Sequence, residues 1–167
     1  KLHMFVAVDR TSKFAFVELH EKATTAASRE FLLRLIAAVP YKIHTVLTDN
    51  GIQFTTPGAG GSAVPLIRQA IANGERFWAH AFEFTCAQND IEHRTTKAKH
   101  PWTNGQVERM NRTIKEATVK RYHYDSHQRF EAHLENFVNA YNFARRLKTL
   151  RGLTPYEYIC KIWETEP

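Results

Sequence analysis

Cysteine is scarce: Cys86 and Cys160 are the only two in 167 residues, they lie far apart, and no CxxC pair occurs. That excludes a disulfide framework and gives no support to a structural zinc site, so a reducing, cytoplasmic setting is expected. Long apolar runs are missing too. The longest, Phe31 to Pro40, is broken by Arg34. A membrane-crossing helix needs about 20 predominantly apolar residues. No signal-peptide pattern opens the chain, and a protein without membrane attachment is expected. Only seven glycines are present, three of them between Thr56 and Ala63, and neither a low-complexity tract nor an internal repeat is found.

What is there suits one folded domain. Of the 167 residues 43% are hydrophobic, 12% aromatic and 24% charged, enough apolar material for a real core and unlike a disordered chain. Lys and Arg number 23 against 17 Asp and Glu, a formal net charge of +6. The excess favours a polyanionic partner, although a modest surplus of this size also occurs in domains that bind nothing acidic.

The hydrophobic pattern predicts strands first and helices last. Leu2 to Asp9 and Lys13 to His20 read as the strands of a hairpin turning at Arg10, Thr11 and Ser12. Between Thr24 and Val39, residues Ala27, Phe31, Leu32, Leu35, Ile36 and Val39 recur at helical spacing before Pro40. Ile43 to Leu47 reads as a short buried strand stopping at Thr48, Asp49, Asn50 and Gly51. A glycine-rich, mobile loop is expected at Thr56 to Ala63, then a short helix from Pro65 to Asn73, a helix from Phe77 to Gln88, and a strand from Ile91 to Thr96. A long helix is predicted from Thr103 or Asn104 to about His123, with Val107, Met110, Ile114 and Ala117 on one face and Glu108, Asn111 and Lys115 on another. Ser126 to Arg145 and Thr154 to Ile162 complete the helices, the last with a Thr cap and Pro155 in its first turn. The expected class is mixed α/β, helices covering a sheet.

Two segments carry candidate chemistry. Asp49 stands at the carboxyl end of a strand, where open α/β sheets bind ligands. Asx residues also start turns very often, and on this segment alone the turn is the favoured reading. Glu108 stands in the first or second turn of the long helix, where an acid also complements the helix dipole. Around it Asn104, Gly105, Gln106, Arg109 and Asn111 cluster at a helix start, a set suited to phosphate contact.

TDNGIQF at 48 to 54 and HPWTNGQVERMNRTIKE at 100 to 116 resemble the second and third blocks of the retroviral-integrase and insertion-sequence transposase catalytic core. FVAVDRTSKFAFVEL at 5 to 19 is similar to that family's second and third strands, and LTPYEYI at 153 to 159 to the end of many transposase cores. The resemblance implies a ribonuclease-H-like fold: a five-stranded mixed sheet flanked by helices, with three metal-binding carboxylates converging at one edge. Two are Asp49 and Glu108. The first Asp of the family pattern lies on a strand expected upstream of Lys1, so the core is expected to be partial at its N-terminus across 1 to 167. Asp9 is read as a hairpin residue. The 58 residues between Asp49 and Glu108 exceed the compact retroviral spacing, and segment 56 to 80 is expected to be a surface insertion, with residues 126 to 164 forming C-terminal helices.

By the same resemblance the expected activity is metal-dependent cleavage of DNA 3′ ends followed by strand transfer, using Mg2+ or Mn2+ in a two-metal site. Such ions prefer oxygen ligands, which makes His93, His100 and the pair His123/His127 poor metal candidates. Asn50, Gln53, Lys97, Lys99, Asn104, Gln106, Arg109, Asn111, Arg112 and Lys115 are the expected DNA contacts, and Trp102 stacks on a base or anchors its loop. The expected partners are the DNA of element ends and target and further copies of the same chain, as a dimer or higher assembly. The expected setting is the bacterial cytoplasm, at the nucleoid when in use. Two other readings stay open at this level: a non-catalytic DNA-binding or assembly module derived from such a core, and a ribonuclease-H-like nuclease that cuts without joining.

Overall fold

The computed structural model describes residues 1 to 96 and 104 to 165. Strands β1 (His3–Val8) and β2 (Ala15–His20) pair with each other, and β3 (Thr45–Thr48) pairs with β4 (Glu92–Thr95) in parallel. Among the described residues, the expected single five-stranded sheet is thus represented by two separate two-stranded pairs. Among the described residues the α-helices are, in order, α1 (Thr25–Ala38), α2 (Val64–Asn73), α3 (Ala81–Gln88), α4 (Gly105–Ala117), α5 (His127–Phe143) and α6 (Pro155–Thr165).

The chain divides into two compact units, Lys1–Phe5 with His20–Gly105, and Val6–Leu19 with Gln106–Pro167. In the first, α1 and α2 both pack on α3, and α3 packs on β4. Phe31, Leu32 and Leu35 of α1, Val64 and Ile67 of α2, and Phe82 and Cys86 of α3 are buried. Helix α1 starts where Thr24 accepts a hydrogen bond from the Ala27 amide (3.1 Å), one of the otherwise orphaned donors of a helix start, and it stops at Val39 just before Pro40.

Two boundaries differ from the sequence reading here. Strand β3 begins at Thr45 rather than Ile43, and only Thr48 in it is buried, so it is not the fully enclosed strand expected. Thr45 instead faces Glu92 across the pair, Oγ1 to Oε2 at 3.3 Å. Helix α3 begins at Ala81 rather than Phe77, because His80 has extended backbone (φ −63°, ψ 128°) and its ring bonds to the Ile52 carbonyl. The expected short helix forms as α2, packed on α3 through Val64, Ile67 and Ala70.

In the second unit α5 packs on α6. Ser126 caps α5 by accepting from the Arg129 amide (3.2 Å). A capping box opens α6: the Glu157 amide donates to Thr154 Oγ1 (3.1 Å) and the Thr154 amide donates to Glu157 Oε2 (2.9 Å). Helix α4 ends at Ala117, six residues short of the expected His123. Thr118 turns its hydroxyl back onto the Ile114 carbonyl (2.7 Å), and the Lys120 amide closes onto Lys115 O (2.9 Å), a bond that terminates a helix. His123 therefore sits in the break before α5, off any shared helical face with His127. No helix among the described residues is long and apolar enough to cross a membrane.

Candidate functional site

The turn after β3 is tied down at several points that together leave one acid in solvent. Thr48 ends β3 in register with Thr95 of β4, and the Thr96 amide extends the ladder to Thr48 O (2.9 Å). Asp49, exposed, folds into an Asx turn with its Oδ1 accepting from the Gly51 amide (2.9 Å). Asn50 donates from Nδ2 to the Thr96 carbonyl (2.9 Å). Below the turn, the His80 ring holds Ile52 O (2.9 Å), and the Ser28 hydroxyl donates to Gln53 O. Phe54 reaches the core, its ring edge-on to Phe5 (6.1 Å) and Phe82 (5.2 Å). Such edge-to-face pairs add to the burial they accompany. A Cβ on Gly51 would come within 2.5 Å of the Gln53 amide, so that side chain lies folded over the turn.

The turn's last strand residue also touches a buried polar chain. Thr48 Oγ1 lies 2.9 Å from His93 Nε2, and His93 Nδ1 lies 3.3 Å from Glu83 Oε1. The side chains of His93 and Glu83 are both fully buried. Burial depresses the His93 pKa below its usual value, with Glu83 pulling the other way and His80 adding to the depression. The ring is neutral at neutral pH.

Glu108 lies in the first turn of α4 and is exposed. Met110 and Ile114 bury the opposite stripe, which fixes the rotation of the helix. At 100° per residue Arg112 and Lys115 flank Glu108 on the exposed side. Both are exposed, as is Arg109, and none of the three joins an ion pair among the described residues. Asn104, Gln106 and Asn111 are half-buried, and Gln106 Oε1 is enclosed with no donor among the described residues. Lys97, Lys99, His100 and Trp102 lie outside the described residues.

Asp9 is fully engaged in its own turn: Oδ1 accepts from the Thr11 amide (3.1 Å), and Oδ2 from the Ser12 amide (3.2 Å) and hydroxyl (2.5 Å). It is a hairpin residue. Among the described residues no three His, Cys, Asp or Glu side chains form a ready-made metal cage. The donor chemistry of Asp49 and Glu108 nevertheless fits Mg2+ or Mn2+, which take few carboxylates from a protein and complete their shells with water and substrate phosphate. His93, named from the sequence only as a poor metal candidate, reaches Thr48 through the pairing of β3 with β4, and Glu83, which no sequence pattern singles out, joins it through the packing of α3 on β4.

Two family models, both described as integrase core domain, match the chain, one over residues 1–101 and one over 89–155. Among solved structures, the catalytic core domain of BIV integrase superposes with a TM-score of 0.66 at 23% identity, over 98% of this chain and 88% of that one. A chain of the simian T-cell lymphotropic virus intasome in complex with PP2A regulatory subunit B56 gamma superposes with a TM-score of 0.71 at 20% identity, over 93% of this chain and 47% of that one. In sequence, the uncharacterized protein K02A2.6 of Caenorhabditis elegans is 25% identical over 118 residues, which are 71% of this chain and only 7% of that protein. The structural matches assign the mixed α/β chain the ribonuclease-H-like fold of integrase catalytic cores. With one model spanning more than half its length, the chain belongs to the integrase core domain family.

Proposed function

We propose that this chain is the catalytic core of a transposase or integrase that cuts DNA 3′ ends and joins them to a target, with Asp49 and Glu108 as two of its metal-holding carboxylates. The observation that carries the proposal is the Asp49 turn: a structural Asx cap needs one carboxylate oxygen, and Oδ1 supplies it to Gly51, leaving Oδ2 without a hydrogen-bond partner among the described residues.

A pair of Mg2+ or Mn2+ ions held by these carboxylates would supply activation of the attacking oxygen, stabilisation of the leaving 3′ oxygen and neutralisation of the phosphate charge. The chain's own task is to present oxygen ligands in fixed places. Asp49 does so from a turn pinned by Asn50, His80 and Phe54. Glu108 does so from a helix whose rotation is set by Met110 and Ile114. Arg112 and Lys115, exposed beside Glu108, hold the DNA backbone, and Lys97, Lys99, Asn104 and Arg109 extend that contact. Each neutralised phosphate adds to the salt dependence of binding. No covalent link between protein and DNA is required: water frees a 3′-OH, which then attacks the target phosphodiester. Because joining two ends takes two active sites, the working form is a dimer or larger assembly.

The test is Mn2+-dependent cleavage and strand transfer by the full-length protein on DNA carrying the element ends. Cleavage with joined products is the expected result. Cleavage without joining would point to a nuclease, and binding with neither reaction to an assembly module.

A further inference from the structure

A carboxylate and an imidazole buried together, beside an exposed acid they never touch, call for an explanation. Taking an ionised carboxylate out of water costs several kcal/mol unless partners compensate. Glu83 is fully buried with Oε2 unpartnered among the described residues, and Oε1 accepts from the Ala63 amide (2.9 Å) and faces His93 Nδ1 (3.3 Å). His93 is locked edge-on to Phe82, with ring centroids 5.3 Å apart. In the parallel pair, His93 stands opposite Val46, so Thr48, two residues on, presents its side chain on the same face. Thr48 Oγ1 lies 2.9 Å from His93 Nε2 and 2.8 Å from the carbonyl oxygen of Asp49. Its single hydroxyl hydrogen serves one or the other, according to which ring nitrogen is protonated.

We propose that Glu83 and His93 are positioning residues for Asp49, acting through the hydroxyl of Thr48 to set the backbone of the turn that presents the carboxylate. The proposal rests on reading Asp49 as a metal-holding acid. It assigns to this chain the part that a carboxylate-imidazole pair plays behind many metal ligands, with the difference that the last link is a hydroxyl on the backbone neighbour of the ligand. Through the Ala63 amide the same carboxylate also fastens the start of α2, so the segment between the Asp49 turn and α3 is anchored to the chain that orients the turn. Losing an outer partner of this kind typically costs about 10- to 100-fold in metal affinity or activity.

The test compares Thr48→Val, Thr48→Ser and Glu83→Gln in the full-length protein, following the Gly51 amide by NMR or hydrogen exchange and the Mn2+ concentration that gives half-maximal cleavage. Thr48→Val keeps the shape and removes the hydroxyl. It should shift the Gly51 amide and raise the Mn2+ requirement about tenfold or more with DNA affinity unchanged, while Thr48→Ser restores both. Glu83→Gln keeps an oxygen acceptor for the Ala63 amide and changes the group that faces His93, so the protein should still fold, as its melting curve would show, while the Mn2+ requirement increases, an outcome a purely structural carboxylate would not give. Thr48→Val or Glu83→Gln with a wild-type Mn2+ requirement and Gly51 amide would overturn the proposal, as would Thr48→Ser behaving like Thr48→Val. If no form cleaves DNA, it is the function that fails, and the Gly51 amide alone decides: shifted by Thr48→Val and restored by Thr48→Ser supports positioning, unshifted refutes it.

Discussion

The side-chain amide of Asn50 donates to the backbone carbonyl of Thr96, 2.9 Å away, and so ties the turn after β3 to the end of β4. Its position beside Asp49 makes it an expected DNA contact, and one N–H of its amide is held inside the protein. Asn50→Ala should therefore lower stability by about 0.5–1.5 kcal/mol, the net worth of one such bond, and slow cleavage more than it weakens DNA binding. Parallel measurements of DNA affinity and single-turnover rate check this. A large loss of affinity with an unchanged rate would return Asn50 to the DNA interface.

Asn142 makes a two-point contact with Ala15: the Ala15 amide donates to Oδ1 and Nδ2 donates to the Ala15 carbonyl, both at 2.8 Å. Both residues are buried. Asn142→Leu keeps the volume and leaves a buried N–H and C=O unpaired, each costing about 1–3 kcal/mol. Urea unfolding should show a loss of at least about 2 kcal/mol. A loss under about 0.5 kcal/mol would mean that water or a shifted backbone satisfies Ala15.

His93 makes stability fall in mild acid. Its pKa in the folded protein lies below the ordinary value of 6.5 because burial penalises the charged ring. The unfolded chain thus takes up a proton near pH 6.5 that the folded chain resists. The stability held at higher pH is lost as pH drops below that point, toward the lower folded pKa. His93→Gln should flatten this part of the urea-midpoint profile between pH 7.5 and 5.5. An unchanged slope in the variant would assign the effect to other histidines.

The two cysteines should differ sharply in reactivity. Cys86 is buried, and desolvation with the nearby Glu83 charge pushes its pKa up to about 12, whereas Cys160 is only half-buried. The thiolate is the reactive form. Native protein treated with iodoacetamide near pH 8 should be labelled at Cys160 and spared at Cys86, as peptide mass spectrometry would show. Equal labelling would mean that α3 opens readily.

Much of the fold was legible because local chemistry and burial agree. Thr24 and Val39, the limits expected for the first helix, are the cap residues of α1, and the Thr cap and Pro155 marked the start of α6. The reading overran where an apolar run continues past the helix it borders. Phe77 and Trp78 are partly or largely exposed ahead of α3, and Val119 and Tyr122 are exposed after α4. Asp49 was placed correctly at a strand's carboxyl end, since a β-branched run meeting Asp-Asn-Gly leaves little else. Glu83 and His93 could not be found this way. They sit ten residues apart on a helix and a strand, and nothing but the packing of α3 on β4 brings their side chains together.

The central claim is that Asp49 and Glu108 hold the metal ions, and the most direct test replaces each carboxylate by its amide. Asp49→Asn and Glu108→Gln, assayed with Mn2+ on end DNA in the full-length protein, should each lose cleavage by several orders of magnitude while folding and DNA affinity stay close to wild type. Wild-type cleavage by either variant would contradict the account.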